Sequence, residues 1–102
     1  HLLATRDTLI VQDIFMTKTA ELAHVVFPAS VAAFETEGTV TNSERRVQRV
    51  RKALDPPGNA KDDIWIITEL ARRLGAPWPA LTAEQAWDEL QAVIRARKAS
   101  AA

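Results

Sequence analysis

Short apolar runs open this chain, and amphipathic stretches close it. Thr8-Leu9-Ile10-Val11 is a continuous run ending in Gln12-Asp13, and His24-Val25-Val26-Phe27 is a second run, stopped by Pro28. Unbroken apolar runs of this length suit strands covered on both faces, as in parallel sheets. Proline has no N–H to give a strand ladder, so the second strand is expected to end there. Between the runs, residues 17 to 23 read as a short helix with Thr17 placed as its N-cap. Strand, helix and strand with short connections make a βαβ unit, whose two strands run parallel.

The middle of the chain is more polar. Val31-Ala32-Ala33-Phe34 fits one helical turn. After Gly38, residues 39–42 and 45–50 are expected to pair as a hairpin around Asn42-Ser43-Glu44. Pro56-Pro57-Gly58-Asn59 are strong breakers. Asp62-Asp63 then open a helix with acids where the helix dipole favours them. Ile67, Leu70, Ala71 and Leu74 give it an apolar stripe at i, i+3, i+4 and i+7, and Gly75 and Pro77 close it. Thr82 and Gln85 have capping-box spacing. The last helix carries Ala86, Trp87, Leu90, Val93 and Ile94 on one face and is expected to fray near Lys98.

The predicted class is α/β. A partial Rossmann-like βαβ unit spans residues 8–37, a hairpin 38–52, a loop 53–62, and two C-terminal helices 63–98. Two strands and a hairpin are too few for a stable doubly wound sheet. The segment is therefore expected to complete a larger parallel sheet whose other strands lie elsewhere in sequence. The start at His1 rather than Met agrees with that expectation. In open α/β sheets ligands sit beyond the carboxyl ends of the strands. Gln12, Asp13 and Thr17 fall at that end, and residues 28–37 leave the second strand at the same rim.

Composition narrows the chemistry. The 102 residues carry 13 basic and 13 acidic side chains, so overall charge offers no attraction to nucleic acid or anionic membrane. The chain has no cysteine, which excludes disulfides, thiolate metal sites and an iron–sulfur cluster within it, and agrees with a reducing, cytoplasmic setting. No apolar run approaches the ~18 residues of a membrane span, and no secretory leader is visible. His24 has no second ligand at metal-binding spacing. Trp65, Trp78 and Trp87 read as core or domain-packing residues. Arg45, Arg46, Arg49, Arg51 and Lys52 form a dense basic run. Such guanidinium forks suit a bidentate oxyanion, or else form a solvated strand paired with local acids. A small nucleic-acid-binding module is one reading of the run, although it lacks interleaved aromatics for stacking. A non-catalytic interaction domain is another.

The stretch Glu37-Gly38-Thr39-Val40-Thr41-Asn42-Ser43-Glu44-Arg45-Arg46-Val47-Gln48 resembles the signature of the large subunit of formate dehydrogenases that use molybdenum or tungsten. These belong to the molybdopterin oxidoreductase family, which also holds the periplasmic nitrate reductases. Residues 11–20, His24 to Pro28 and Asp63 to Ile67 stand in the family's order and near its spacing, so the likeness covers about residues 8–75.

The resemblance implies a bis(molybdopterin guanine dinucleotide) cofactor carrying Mo or W, with its guanine ends reaching strand rims. It makes residues 1–102 one segment of the domain that binds this dinucleotide. It assigns cofactor contacts to Gln12 and Asp13, and one carboxylate can accept from guanine N1–H and N2 together. The alternative for Asp13 is a cap or turn residue ahead of Thr17. Thr17 matches a threonine near the cofactor and is also a natural cap, and Asp63 matches a cofactor-contacting aspartate. Thr36 stands where nitrate reductases have a cofactor-contacting lysine, because the interval from Pro28 to Gly38 is one residue longer here; a hydroxyl replaces a charge. Asn42, Glu44, Arg45 and Arg46 are expected to lock the hairpin against the rest of the subunit by buried ion pairs. The family's catalytic residues and the cysteines of its 4Fe-4S cluster match nothing in this chain. The expected partners are the remainder of the large subunit and electron-transfer subunits.

Overall fold

The computed structural model describes residues 2–101. Strands β1 (Ile10–Asp13) and β2 (Val25–Pro28) run parallel, with Ile10 beside Val25 and Asp13 beside Pro28. Helix α1 (Lys18–Glu21) links them. Thr17 Oγ1 accepts the backbone N–H of Ala20 at 3.1 Å and so caps α1 as its position predicts. Ala20 is buried where α1 rests on β1. His24 ties off the unit: its N–H donates to the Leu9 carbonyl at 2.8 Å, and its Nδ1 accepts the Leu9 N–H at 3.0 Å.

Both strands lie later than their apolar runs suggest, at 10–13 against 8–11 and at 25–28 against 24–27, and β2 takes in Pro28 as its last residue, ending there as expected. The ladder explains this. The N–H groups of Val25 and Ala29 donate to Leu9 and Asp13 on the β1 side. Position 28 faces the other way, so its missing N–H interrupts no bond to β1. On that far side the Pro28 carbonyl accepts the Lys61 N–H at 3.1 Å, and the Ser30 N–H donates to the Lys61 carbonyl at 2.8 Å. Ala29 and Lys61 form a parallel bridge. A third extended segment therefore lies beside β2 and points the same way.

Strands β3 (Gly38–Thr41) and β4 (Val47–Val50) pair antiparallel. Their pairing stops short of the expected residues 42, 45 and 46 because the turn takes them. Asn42 Oδ1 accepts the N–H groups of Glu44 and Arg46, both at 2.9 Å, and the Arg45 N–H donates to the Asn42 carbonyl. Arg45 is left-handed at φ 64°, a conformation that costs an L-residue about 1–2 kcal/mol. The single turn expected at 31–34 is present. The Glu35 N–H donates to the Val31 carbonyl at 3.0 Å, and Glu35 Oε2 accepts the Val31 N–H at 2.8 Å.

Helix α2 (Asp63–Arg73) is capped by Asp62, whose Oδ1 accepts the Trp65 N–H at 3.2 Å. Gly75, at φ 97°, turns the chain after it. Helix α3 (Ala83–Ala101) starts from the anticipated capping box, with Thr82 Oγ1 accepting from Gln85 N and Gln85 Oε1 accepting from Thr82 N. It continues past Lys98 to Ala101 instead of fraying there. The apolar stripe of α2 does not face inward. Ile67, Leu70 and Leu74 are exposed, Leu74 at 80%, while Ile66 and Thr68 are buried. At the start of α2 the Asp62 and Asp63 side chains accept hydrogen bonds from Thr36 and Gln12.

Among the described residues the buried apolar ones are Ala20, Ala60 and Ile66. The accessible surface is 8475 Å², against roughly 5,700 Å² for a compact monomer of this mass. The radius of gyration is 16.6 Å, against about 13 Å for a compact chain of this length. Trp65, Trp78 and Trp87 are 41–49% exposed. They are not core residues of this chain. The result is an α/β chain of parallel and antiparallel strands with C-terminal helices, and its apolar faces remain largely open.

Candidate functional site

Three segments leave the carboxyl ends of parallel strands on one side of the molecule. Residues 14–17 follow β1, residues 30–36 follow β2, and Asp62-Asp63 follow the bridge at Lys61. Side chains from different segments meet at this rim. Gln12 Nε2 donates to Asp63 Oδ1 in a short bond spanning 51 residues of sequence. Thr36 Oγ1 donates to Asp62 Oδ2 at 3.5 Å. A hollow of about 190 Å³ opens beside these groups, lined by Ser30, Thr36, Asp62 and Asp63 together with Glu37 to Val40 of the hairpin side.

Asp13 stands apart from this cluster. Successive strand residues point to opposite faces, so Gln12 reaches Asp63 while Asp13 folds back on its own turn. Its Oδ1 accepts the N–H groups of Ile14 at 2.7 Å and Phe15 at 3.3 Å. The side chain is half-buried, and the turn uses one of its two oxygens. Thr17 likewise spends an oxygen lone pair on the α1 cap, although a hydroxyl can still donate. Of the five candidate positions, Gln12, Thr36 and Asp63 are thus drawn together, while Asp13 and Thr17 occupy the neighbouring loop with local bonds.

Two rim residues escape a reading of sequence pattern. Asp62, read only as one of an acid pair, both caps α2 and holds Thr36. Its spacing to Trp65 was the available signal. Ser30 is 7% exposed, and its Oγ has no hydrogen-bond partner, a state that costs about 1–3 kcal/mol. Nothing in the local sequence announces it.

The basic hairpin is paired mainly with nearby acids. Arg46 lies 3.6 Å from Glu44, Arg49 lies 3.9 Å from Glu37, and Lys52 Nζ lies 2.8 Å from Asp55. This is the solvated strand with local acids. The expected burial of the signature ion pairs is not met within this chain, since the Arg46 and Glu44 side chains are 76% and 71% exposed. The hydrogen bond and attraction between Lys52 and Asp55 raise the lysine pKa and lower that of the carboxyl. Just ahead of α2, Lys61 Nζ sits 5.5 Å over the ring of Trp65 on that helix, within cation–π range. Among the described residues, no helix is long and apolar enough to cross a membrane.

Parallel strands, a helical crossover and polar side chains gathered at the strands' carboxyl ends define an α/β segment whose polar rim lies where open α/β sheets carry their ligand sites. The chain belongs to the molybdopterin oxidoreductase family, whose sequence model matches residues 2–73. It is 50% identical over 94 residues, 90% of its length, to the F420-dependent formate dehydrogenase 2 subunit alpha of Methanococcus maripaludis. It is 58% identical over 73 residues, 72% of its length, to the F420-dependent formate dehydrogenase subunit alpha of Methanocaldococcus jannaschii. These matches cover 14% and 11% of the two relatives, so the chain spans about a tenth of their length.

Proposed function

We propose that this chain forms one wall of a molybdopterin guanine dinucleotide site within the large subunit of a formate dehydrogenase. The observation that carries the reading is the meeting of Gln12 with Asp63 and of Thr36 with Asp62 at one strand rim. Family membership supports the cofactor class, and the names of the two relatives support formate as substrate.

The donor set suits the base end of such a cofactor. Carboxylates only accept hydrogen bonds, which matches the N1–H and N2 edge of guanine and disfavours a phosphate in the same hollow. Gln12, Asp13, Thr17, Thr36 and Asp63 are the residues assigned to hold it, with Asp13 offering the oxygen its turn leaves over. When bound, the cofactor supplies the redox chemistry, and the protein supplies binding and orientation. For the whole enzyme that chemistry is the two-electron oxidation of formate to CO2. The bis form of the cofactor, its Mo or W, a 4Fe-4S cluster elsewhere in the subunit and a cytoplasmic location belong to the same proposal. So do a catalytic centre outside this segment, a larger parallel sheet continued from β1, and contacts with the remaining subunit and with electron-transfer subunits.

The test is elemental analysis of the full-length enzyme carrying Asp13→Ala or Asp63→Ala. Each variant is expected to fold and to hold less molybdenum or tungsten than the parent. Unchanged metal content in both would remove the site and favour a segment that only packs against its neighbours.

A further inference from the structure

Ser30 is built into the rim, yet its hydroxyl has no hydrogen-bond partner among the described residues. The Ser30 N–H is bound to Lys61 at 2.8 Å, and the preceding residue donates to Asp13 at 3.1 Å. The backbone is therefore held from both sides, and only the side chain is free to turn between its staggered positions. The residue is 7% exposed, its Oγ is unpartnered, and it lines the same hollow as Thr36, Asp62 and Asp63. Alanine would fill the position equally well without stranding a polar atom.

The chemistry of the hollow gives the hydroxyl a task. Its carboxylates accept hydrogen bonds but donate none. A purine edge that presents two N–H donors beside a carbonyl oxygen needs a donor next to those acceptors. The hydroxyl of Thr36 is already given to Asp62, whereas that of Ser30 is uncommitted.

We propose that Ser30 is a ligand-contacting, base-selecting residue: on binding, its hydroxyl turns into the hollow and donates to the carbonyl oxygen of the guanine held by the rim carboxylates. This rests on the reading of the rim as the nucleotide end of the cofactor site. It predicts opposite effects of one substitution on the empty and the loaded protein, which a purely structural serine would not produce.

The experiment uses the full-length enzyme with Ser30→Ala, Ser30→Thr and, as reference, Asp63→Ala. Guanine nucleotide released by acid from purified protein is counted per polypeptide after dilution, and Tm is measured on cofactor-free preparations. For Ser30→Ala, nucleotide retention is expected to fall about tenfold, with the cofactor-free Tm unchanged or raised, while Ser30→Thr keeps the nucleotide. Full retention in Ser30→Ala alongside loss in Asp63→Ala overturns the role of Ser30 and leaves the site standing. Full retention in both overturns the site as well. A Ser30→Ala protein that is less stable without cofactor, or fails to fold, also overturns the proposal, because the hydroxyl would then serve the fold.

Discussion

The strand rim and helix α3 use the same kinds of residue in opposite ways. At the rim, polar groups find partners across long stretches of sequence: Gln12 with Asp63, Thr36 with Asp62, Pro28 with Lys61. In α3 the side-chain hydrogen bonds reach only to its own turns, as between Arg95 and Gln91 or Ser100 and Ala96. Its apolar face of Trp87, Leu90, Val93 and Ile94 is 41–53% exposed. The rim is thus tied together by bonds within this chain, whereas the helix face stays largely open.

The contrast breaks most visibly at Trp87. In the full-length enzyme, Trp87→Ala is expected to lower unfolding stability by about 3–5 kcal/mol, the usual cost of emptying a packed aromatic site. A denaturant titration reads this, and a change within about 0.5 kcal/mol would mean the face stays in water. A smaller effect sharpens the rim's side of the comparison. Asp62→Ala removes the α2 cap and the acceptor of Thr36, for an expected loss of about 1–2 kcal/mol, with Asp62→Ser retaining most of it. Equal stability of Asp62→Ala and parent would show that the rim is held from outside.

Smaller still is Arg45→Gly. Glycine accepts the left-handed turn without a Cβ clash, so stability is expected to rise by up to about 1 kcal/mol, offset in part by the freer unfolded chain. A fall instead would mean that the Arg45 side chain makes contacts in the complete enzyme. The least effect belongs to Lys52 and Asp55, both exposed. The lowered carboxyl pKa makes their contribution present above the ordinary carboxylate value and lost as pH falls through the lowered one. The raised lysine pKa makes it present below the ordinary lysine value and lost as pH rises through the raised one. The Tm difference between Lys52→Met and parent is expected to be small and flat over roughly pH 5–9 and to vanish at both extremes.

Features that depend on near neighbours in the chain were legible. The parallel pair, the Thr17 cap, the hairpin and the Thr82–Gln85 box each rest on residues a few positions apart or on a short apolar run. What was hidden depends on distant partners. The third extended segment at Lys61 makes a single bridge and leaves no periodic trace. The stripe at Ile67, Leu70 and Leu74 is a sound helix pattern, but periodicity says which residues share a face and not which neighbour that face meets. Likewise Gln12 and Asp13 look equivalent as a dipeptide, and only the alternation of the strand sends one to Asp63 and the other to its own turn. The family likeness proposed five positions, and the geometry draws Gln12, Thr36 and Asp63 together while leaving Asp13 and Thr17 with local bonds.

The joint between Ala29 and Lys61 also bears on how this region can change. Residues 31–60 leave and return at a doubly bonded base, so they form an excursion fastened at its neck. The free energy of closing such an excursion grows slowly with its length. The interval ahead of Gly38 can therefore gain or lose a residue while the strand ends stay in place, leaving this stretch open to length variation and to grafting in engineered versions.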